Sequence, residues 1–288
     1  MTSLAALGFG YCARHLLAAH PGAFAPVIGT ARTPDRLADL PSGVVPFLFD
    51  GEGLSAPLAA ALAGTEVLLV SAPPDERGDP VLRCARPVLE AGRLAQVVYL
   101  TTLGVYGDHG GAWVDEATPP RGGSLRLERR LKAEEEWFGF GQAKGVPVSV
   151  LRLAGIYGPG RNALVQLKAG EARRIDKPGQ VFNRIHVDDI SATILACVAK
   201  RFDGVVNVTD DLPASPADPV AYAAELLGLP VPPAIPFAEA AKTMSPMALT
   251  FWAGNKRVAN RRLKEELGVR LAFPTYREGL AALRDAEP

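Results

Sequence analysis

The chain has 288 residues, of which 48% are hydrophobic and 22% charged, enough for one α/β domain with an appended lobe. Its 31 basic residues equal its 31 acidic ones, so overall charge argues for neither a nucleic-acid partner nor a membrane surface. Cys12, Cys84 and Cys197 are scattered and lack a C-x-x-C spacing, which points to reduced thiols, a cytoplasmic setting and no metal site. No basic segment precedes the first apolar run, and no apolar stretch is long enough for a bilayer, so neither a secretion signal nor a membrane span is expected.

Leu4 to Leu7 reads as a short buried strand, broken at Gly8 and Gly10 and followed by a helical pattern carrying Ala13, Leu16 and Leu17. The spacing is G-x-G-x-x-A after a strand and before a helix, the form a dinucleotide-binding turn takes. Gly8 permits the tight turn, Gly10 lets backbone approach a pyrophosphate, and Ala13 lets helix and strand pack closely. Gly8, Phe9, Gly10 and Tyr11 are therefore the first expected cofactor contacts.

Pro26 to Arg32 is the second strand, and the residue at its end selects the cofactor: an acid for the NAD ribose, an arginine for the NADP phosphate. Here Arg32 ends it, Arg36 follows one turn later, and no carboxylate precedes Asp35. The expectation is NADP over NAD, with a merely solvated loop arginine as the alternative. Val44 to Phe49 is a third strand, closed by Asp50, either an acceptor for the adenine amino group or an ordinary turn residue. Ala56 to Leu62 reads as a helix and Glu66 to Val70 as a fourth strand. The small-residue turn Ser71-Ala72-Pro73 after it is suited to pass beneath a cofactor. A helical pattern from Pro80 to Arg93 and a strand from Gln96 to Leu100 continue the alternation, which implies a doubly wound, Rossmann-type parallel sheet.

The next segments are Tyr99-Leu-Thr-Thr-Leu-Gly-Val-Tyr-Gly107, then Asp115-Glu116 and Pro119-Pro120. After them come Leu151-Arg-Leu-Ala-Gly-Ile-Tyr-Gly-Pro-Gly160, Asn183-Arg-Ile-His-Val-Asp-Asp189 and Val205-Val-Asn-Val-Thr-Asp-Asp211. In order and spacing they resemble the extended and atypical short-chain dehydrogenase/reductase superfamily, the NAD-dependent epimerase/dehydratase group. The resemblance implies a nucleotide-binding core over residues 1–154. It implies a mainly substrate-binding lobe over 155–288, with a return of about 181–210 into the core, and a homodimer. It gives Thr102 the role of hydrogen-bonding the substrate's reacting oxygen, with Thr101 beside it among the cofactor contacts.

One part of the pattern fails. Members carry a Tyr-x-x-x-Lys pair on the following helix, but Ser124 to Trp137 contains no tyrosine. Taking Glu134 as the group's marker sets Arg130 at the lysine position and Arg126 at the tyrosine position; taking Glu135 sets Leu131 and Leu127 there. Arg130 could hold the ribose, but arginine does not release a proton at working pH. Tyr106, Tyr157 and His109 remain as replacement acids, and Tyr106 joins Thr102 and Arg130 as an expected catalytic residue. Asp115-Glu116 reads as a turn, and Asp188 or Asp189 as a cap for a helix from Ile190 to Lys200.

Pro147 to Leu153 is the sixth strand. Beyond it Arg161, Asn162, Lys168, Arg173, Arg174, Lys177 and Arg184 form a basic tract in a neutral chain. An anionic small molecule suits it, with Arg161, Asn162 and Arg184 as substrate ligands. Asn255 to Gly268 and Tyr276 to Arg284 read as closing helices. The expected activity is an NAD(P)-dependent oxidoreductase or epimerase acting on a hydroxyl/carbonyl group of a small, sugar-like or anionic metabolite. The alternative is a non-catalytic NADP(H)-binding sensor or regulatory protein.

Overall fold

A computed structural model describes residues 1–286. In chain order the first elements are β1 (Leu4–Leu7), α1 (Tyr11–Ala19), β2 (Val27–Ala31), α2 (Pro34–Ala38), β3 (Val44–Leu48), α3 (Ala56–Ala63), β4 (Val67–Val70), α4 (Pro80–Ala91) and β5 (Gln96–Thr102). They are followed by β6 (Trp113–Val114), α5 (Leu125–Lys144), β7 (Val148–Leu153), β8 (Gly155–Tyr157), α6 (Ala163–Lys168), β9 (Ile175–Asp176), β10 (Arg184–His186), α7 (Val187–Lys200) and β11 (Gly204–Val208). The last are α8 (Asp218–Leu227), β12 (Ile235–Pro236), α9 (Phe237–Ala241), α10 (Pro246–Trp252), β13 (Arg257–Val258), α11 (Arg261–Glu265) and α12 (Tyr276–Ala286).

A seven-stranded parallel sheet runs in the order β11-β7-β5-β4-β1-β2-β3, the doubly wound Rossmann-type arrangement that the alternation implied. β1, β4 and β7 are buried along their whole length, as strands covered on both faces must be. β3 lies at the edge and is half-exposed, which lets the strand tolerate Pro46. The order reverses between β1 and β4, so the carboxyl ends of these two strands open a crevice.

The chain divides into two compact units. The first comprises Met1–Thr102, Leu125–Arg152 and Ser191–Val206; the second comprises Leu103–Ser124, Leu153–Ile190 and the chain from Asn207 onward. The chain passes between the units after β5, before α5, at the end of β7, within the first turn of α7 and within β11.

Two buried polar arrangements fix helices in the first unit. Asp79 caps α4 through the N–H groups of Val81 and Leu82, and accepts the Trp137 indole N–H at 3.1 Å, joining α4 to α5. Glu134 on α5 pairs with Arg152 on β7 at 2.7 Å, with both side chains almost wholly buried. α5 continues through Gly139 and Gly141 to Lys144. At Gly141 a Cβ would come 2.4 Å from the Val148 side chain, so this glycine lets helix and strand approach closely.

The second unit is built on the parallel pairs β8/β10, β9/β12 and β6/β13. Its main core gathers Tyr157, Leu164, Ala223, Tyr276, Leu280 and Leu283. The expected helix over 255–268 is a short strand, β13, followed by α11. The Asn255 carbonyl accepts from the His109 and Gly111 N–H groups at 2.9 and 3.0 Å, which draws this segment out as a strand. Asp188 and Asp189 lie in the first turn of α7, and the Asp189 carboxylate accepts the N–H groups of Ala272 and Phe273, pinning the chain that leads into α12.

Candidate functional site: a nucleotide cradle and a cationic cavity

β1 delivers the chain to Gly8 beside the end of β4, with Leu7 in register with Val70. Gly8 has φ +90°, and a Cβ there would lie 2.9 Å from both the Ala72 nitrogen and the Ser71 hydroxyl oxygen. Its N–H donates to the Thr30 hydroxyl at 2.9 Å, and its carbonyl accepts from the Ser71 hydroxyl. The protein's own packing thus demands glycine at position 8.

Gly10 answers to a different demand. A Cβ there would meet nothing nearer than the Gly8 carbonyl, 3.8 Å away. The residue is exposed and heads α1 with no side-chain cap. Open space at a helix N-terminus, with backbone donors and the positive end of the dipole, fits the phosphates of a dinucleotide.

Around this cradle, the N–H groups of Ser71 and Ala72 donate to the Leu7 carbonyl at 3.0 and 3.1 Å, and Pro73 is exposed beyond them. Tyr11 opens α1 and lies half-exposed, stacked on His15 at 6.4 Å. Phe9 departs from expectation as a side-chain contact. It is buried, its N–H donates to the Thr30 carbonyl, and its ring fills the space that a Cβ on Gly29 would enter at 2.8 Å. It supports the loop from below. Arg32 follows β2, exposed, without a hydrogen bond or ion pair among the described residues. Asp50 is exposed and accepts the Glu52 N–H at 2.9 Å, closing a turn.

The end of β5 is the second part of this region. Thr102 is partly exposed there, whereas Thr101 is buried, so the Thr101 side chain is withdrawn from the expected cofactor contacts. α5 runs along β5: the Trp137 ring lies 6.2 Å from Tyr99, and Arg130 donates to the Leu100 carbonyl at 3.2 Å. Arg126, Arg130 and Glu134 are spaced four apart on one helix face, while Glu135 is exposed and Leu127 buried. Of this face, Glu134 pairs with Arg152 on β7 and Arg130 reaches the end of β5. Burial, and then the like charge of Arg130, hold the pKa of Arg126 below the usual guanidinium value.

The remaining candidate acids belong to the second unit, and each is engaged. Tyr106, expected to be catalytic, is fully buried and donates its hydroxyl to Asn207 at 2.8 Å, which leaves it no face toward a substrate. The Tyr157 hydroxyl donates to the Thr275 carbonyl at 3.3 Å, and burial pushes its pKa upward. The His109 ring is 3.1 Å from the Tyr106 carbonyl. Asp115 accepts from the Ala117 and Thr118 N–H groups, as a turn residue does.

Within the second unit, β8, β10, α6, α8 and α12 line an open cavity of about 290 Å³. Arg184 lines it, Arg161 and Gln166 stand exposed at its margin, and Tyr157, Phe182, Val220, Tyr276 and Leu280 supply carbon walls. Asn162 also borders it, but its side chain caps α6, accepting from Val165 and donating to Gly158, both at 3.0 Å. Sequence reading did not bring Phe182, Tyr276 and Leu280 to this site, nor Asp210 to the neighbourhood of Arg184, because they come from segments far apart in the chain. Asp210 is almost wholly buried, and its carboxyl is pushed up to about 7 by that burial.

No family model matches the chain. A solved structure of a conserved protein of unknown function from Silicibacter pomeroyi is 46% identical, with 99% of each chain covered and a TM-score of 0.89. The chain belongs to that protein's family. A protein described as an NAD-dependent epimerase/dehydratase from Methylobacillus flagellatus is 25% identical over 99% of this chain and 98% of its own, with a TM-score of 0.71. A UDP-glucuronic acid 4-epimerase from Bacillus cereus, solved with NAD, shares the fold at a TM-score of 0.75 and 18% identity, covering 99% and 98% of the chains. Among curated proteins, a 3-diazoavenalumate denitrifying reductase from Streptomyces is 30% identical over 46% of this chain and 45% of its own. Escherichia coli protein YeeZ is 34% identical over 49% and 50%. The alignments span about half the length of these curated relatives. The fold neighbours are thus NAD-dependent epimerase/dehydratase-like. No helix among the described residues is long and apolar enough to cross a membrane.

Proposed function

We propose that this chain is a nicotinamide-dinucleotide-dependent oxidoreductase or epimerase acting on a hydroxyl/carbonyl group of a small anionic or sugar-like metabolite, with NADP preferred. The observation that carries the reading is the pair of glycines at the β1–α1 turn. One is required by the protein's own packing, and the other leaves the start of α1 open to the surface, where a pyrophosphate would meet the helix N–H groups. The NAD-binding fold neighbours and the reductase relative support the same class. Arg32, exposed and unpaired among the described residues at the end of β2, supports the preference for a 2′-phosphate.

In this reading the bound dinucleotide would supply or accept hydride at its nicotinamide ring. The α1 N-terminus and Gly10 would hold the pyrophosphate, and Arg32 the ribose phosphate. The Thr102 hydroxyl would donate to the substrate oxygen where charge develops. Arg130, docked on the Leu100 carbonyl, would hold the nicotinamide ribose, with Arg126 adding positive charge on the same face. Neither guanidinium moves a proton at neutral pH. The engagement of Tyr106, Tyr157 and His109 gives weight to the second reading, a non-catalytic NADP(H)-binding sensor.

Titration of NADPH and NADH into the wild type and Arg32→Asp tests the cofactor assignment. A selective loss of NADPH affinity is expected, and an unchanged ratio would remove the NADP preference. Single-turnover assays with a panel of aldehydes, ketones and alcohols then separate enzyme from sensor. Cofactor binding with no redox change on any member would favour the sensor.

A further inference from the structure

The cavity of the second unit joins carbon walls to an arginine that makes no ion pair among the described residues. Arg184 is half-buried and reachable from the cavity. Its guanidinium makes three long hydrogen bonds to neutral carbonyls, those of Phe182 at 3.2 Å and of Ala214 and Ser215 at 3.4 Å. It makes no ion pair among the described residues, and burial dominates the forces on its charge. The nearest negative influence is Asp210, whose Oδ2 is buried without a hydrogen-bond partner. A half-buried guanidinium whose hydrogen bonds go to neutral carbonyls, with Asp210 acting on it only through space, keeps donor capacity for one planar acceptor.

The rest of the lining describes the body attached to that acceptor. Tyr276 lies under the guanidinium at 5.7 Å, and Phe182, Val220 and Leu280 extend the apolar surface. At about 290 Å³ the space is at the lower end for small-molecule sites, which run from roughly 300 to 1,000 Å³. One half-buried guanidinium matches one carboxylate in a two-point fork, whereas a dianionic phosphate calls for a second half-buried cation. The other arginine here, Arg161, is exposed at the margin.

We propose that this cavity is the substrate site for a small aromatic monocarboxylate, with the acid group on Arg184 and the ring among Phe182, Tyr276 and Leu280. The assignment deepens the proposed function by naming its substrate class, and it rests on that reading.

The test is calorimetric titration of cinnamate, its neutral amide cinnamamide and UDP-glucose into the full-length protein, with NADPH binding measured separately by fluorescence. Cinnamate is expected to bind at least tenfold more tightly than cinnamamide. Arg184→Met should abolish the difference, and Gln166→Trp, at the exposed margin, should weaken cinnamate without altering NADPH binding. If Arg184→Met fails to fold, the acid-to-amide ratio in the wild type decides alone. Equal affinity for acid and amide, no cinnamate binding at millimolar concentration, or binding of UDP-glucose in its place would each overturn the proposal. Failure of NADPH to bind would instead remove the oxidoreductase reading, whatever the acid does.

Discussion

The cradle at the β1–α1 turn and the cavity beside β10 handle charge in opposite ways. The cradle contains no charged side chain; its electropositive character comes from backbone N–H groups at a helix start and from space left by the missing Cβ of Gly10. The cavity sets a full charge, Arg184, among carbon walls with no ion pair among the described residues. Backbone recognition suits the invariant part of a dinucleotide, since any sequence supplies the same amides once the turn is tight. Side-chain recognition suits a variable partner, since one substitution changes the charge or the shape.

The contrast can be broken at its structural supports first. Glu134→Ala would leave Arg152 buried without its partner and should cost about 3–5 kcal/mol, read as a lowered urea midpoint. Preserved stability would mean that the α5–β7 link is not set by charge. Gly8→Ala should follow, through left-handed strain of roughly 1–2 kcal/mol and the added clash with Ala72 and Ser71. It should lower both the melting temperature and cofactor affinity. Thr102→Val should reduce turnover by about 10²-fold with NADPH affinity unchanged, if its hydroxyl meets the developing charge. Full activity would take Thr102 out of the mechanism.

The smallest effect concerns pH. Asp210 is raised to about 7 in the folded protein from an ordinary value of 3.8, so between these limits the folded state holds a proton that the unfolded chain has released. Its contribution to stability is complete below pH 4 and fades as pH rises through 7. Asp210→Asn should flatten the fall in melting temperature across that window. An unchanged slope would transfer the effect to Asp189, raised to about 6.

The two regions also differ in how far they could be read from sequence. The cradle follows from local chemistry: an apolar run, two glycines, an alanine and a helix, all within a dozen residues. What local chemistry does not show there is the place of the Phe9 ring, which packs beneath the turn against Gly29. Spacing leaves two registers open on α5, and the buried pairing of Glu134 with Arg152 on β7 joins residues 18 positions apart that no local pattern links. Tyr106 looked catalytic by its motif, yet its hydroxyl is spent on Asn207, a partner 101 positions away. The cavity depends on α6, α8, β10 and α12 meeting, and no periodicity in any one segment encodes that encounter.

The central claim is that the opening at Gly10 is a nucleotide site and not merely a tight turn. It is tested most directly by titrating NADPH into the wild type and Gly10→Val while following the melting temperature of each. Binding to the wild type, none to the variant, and nearly equal melting temperatures are expected, because a side chain at position 10 would meet no protein atom nearer than 3.8 Å at its Cβ. Undiminished NADPH binding by a folded Gly10→Val would contradict it.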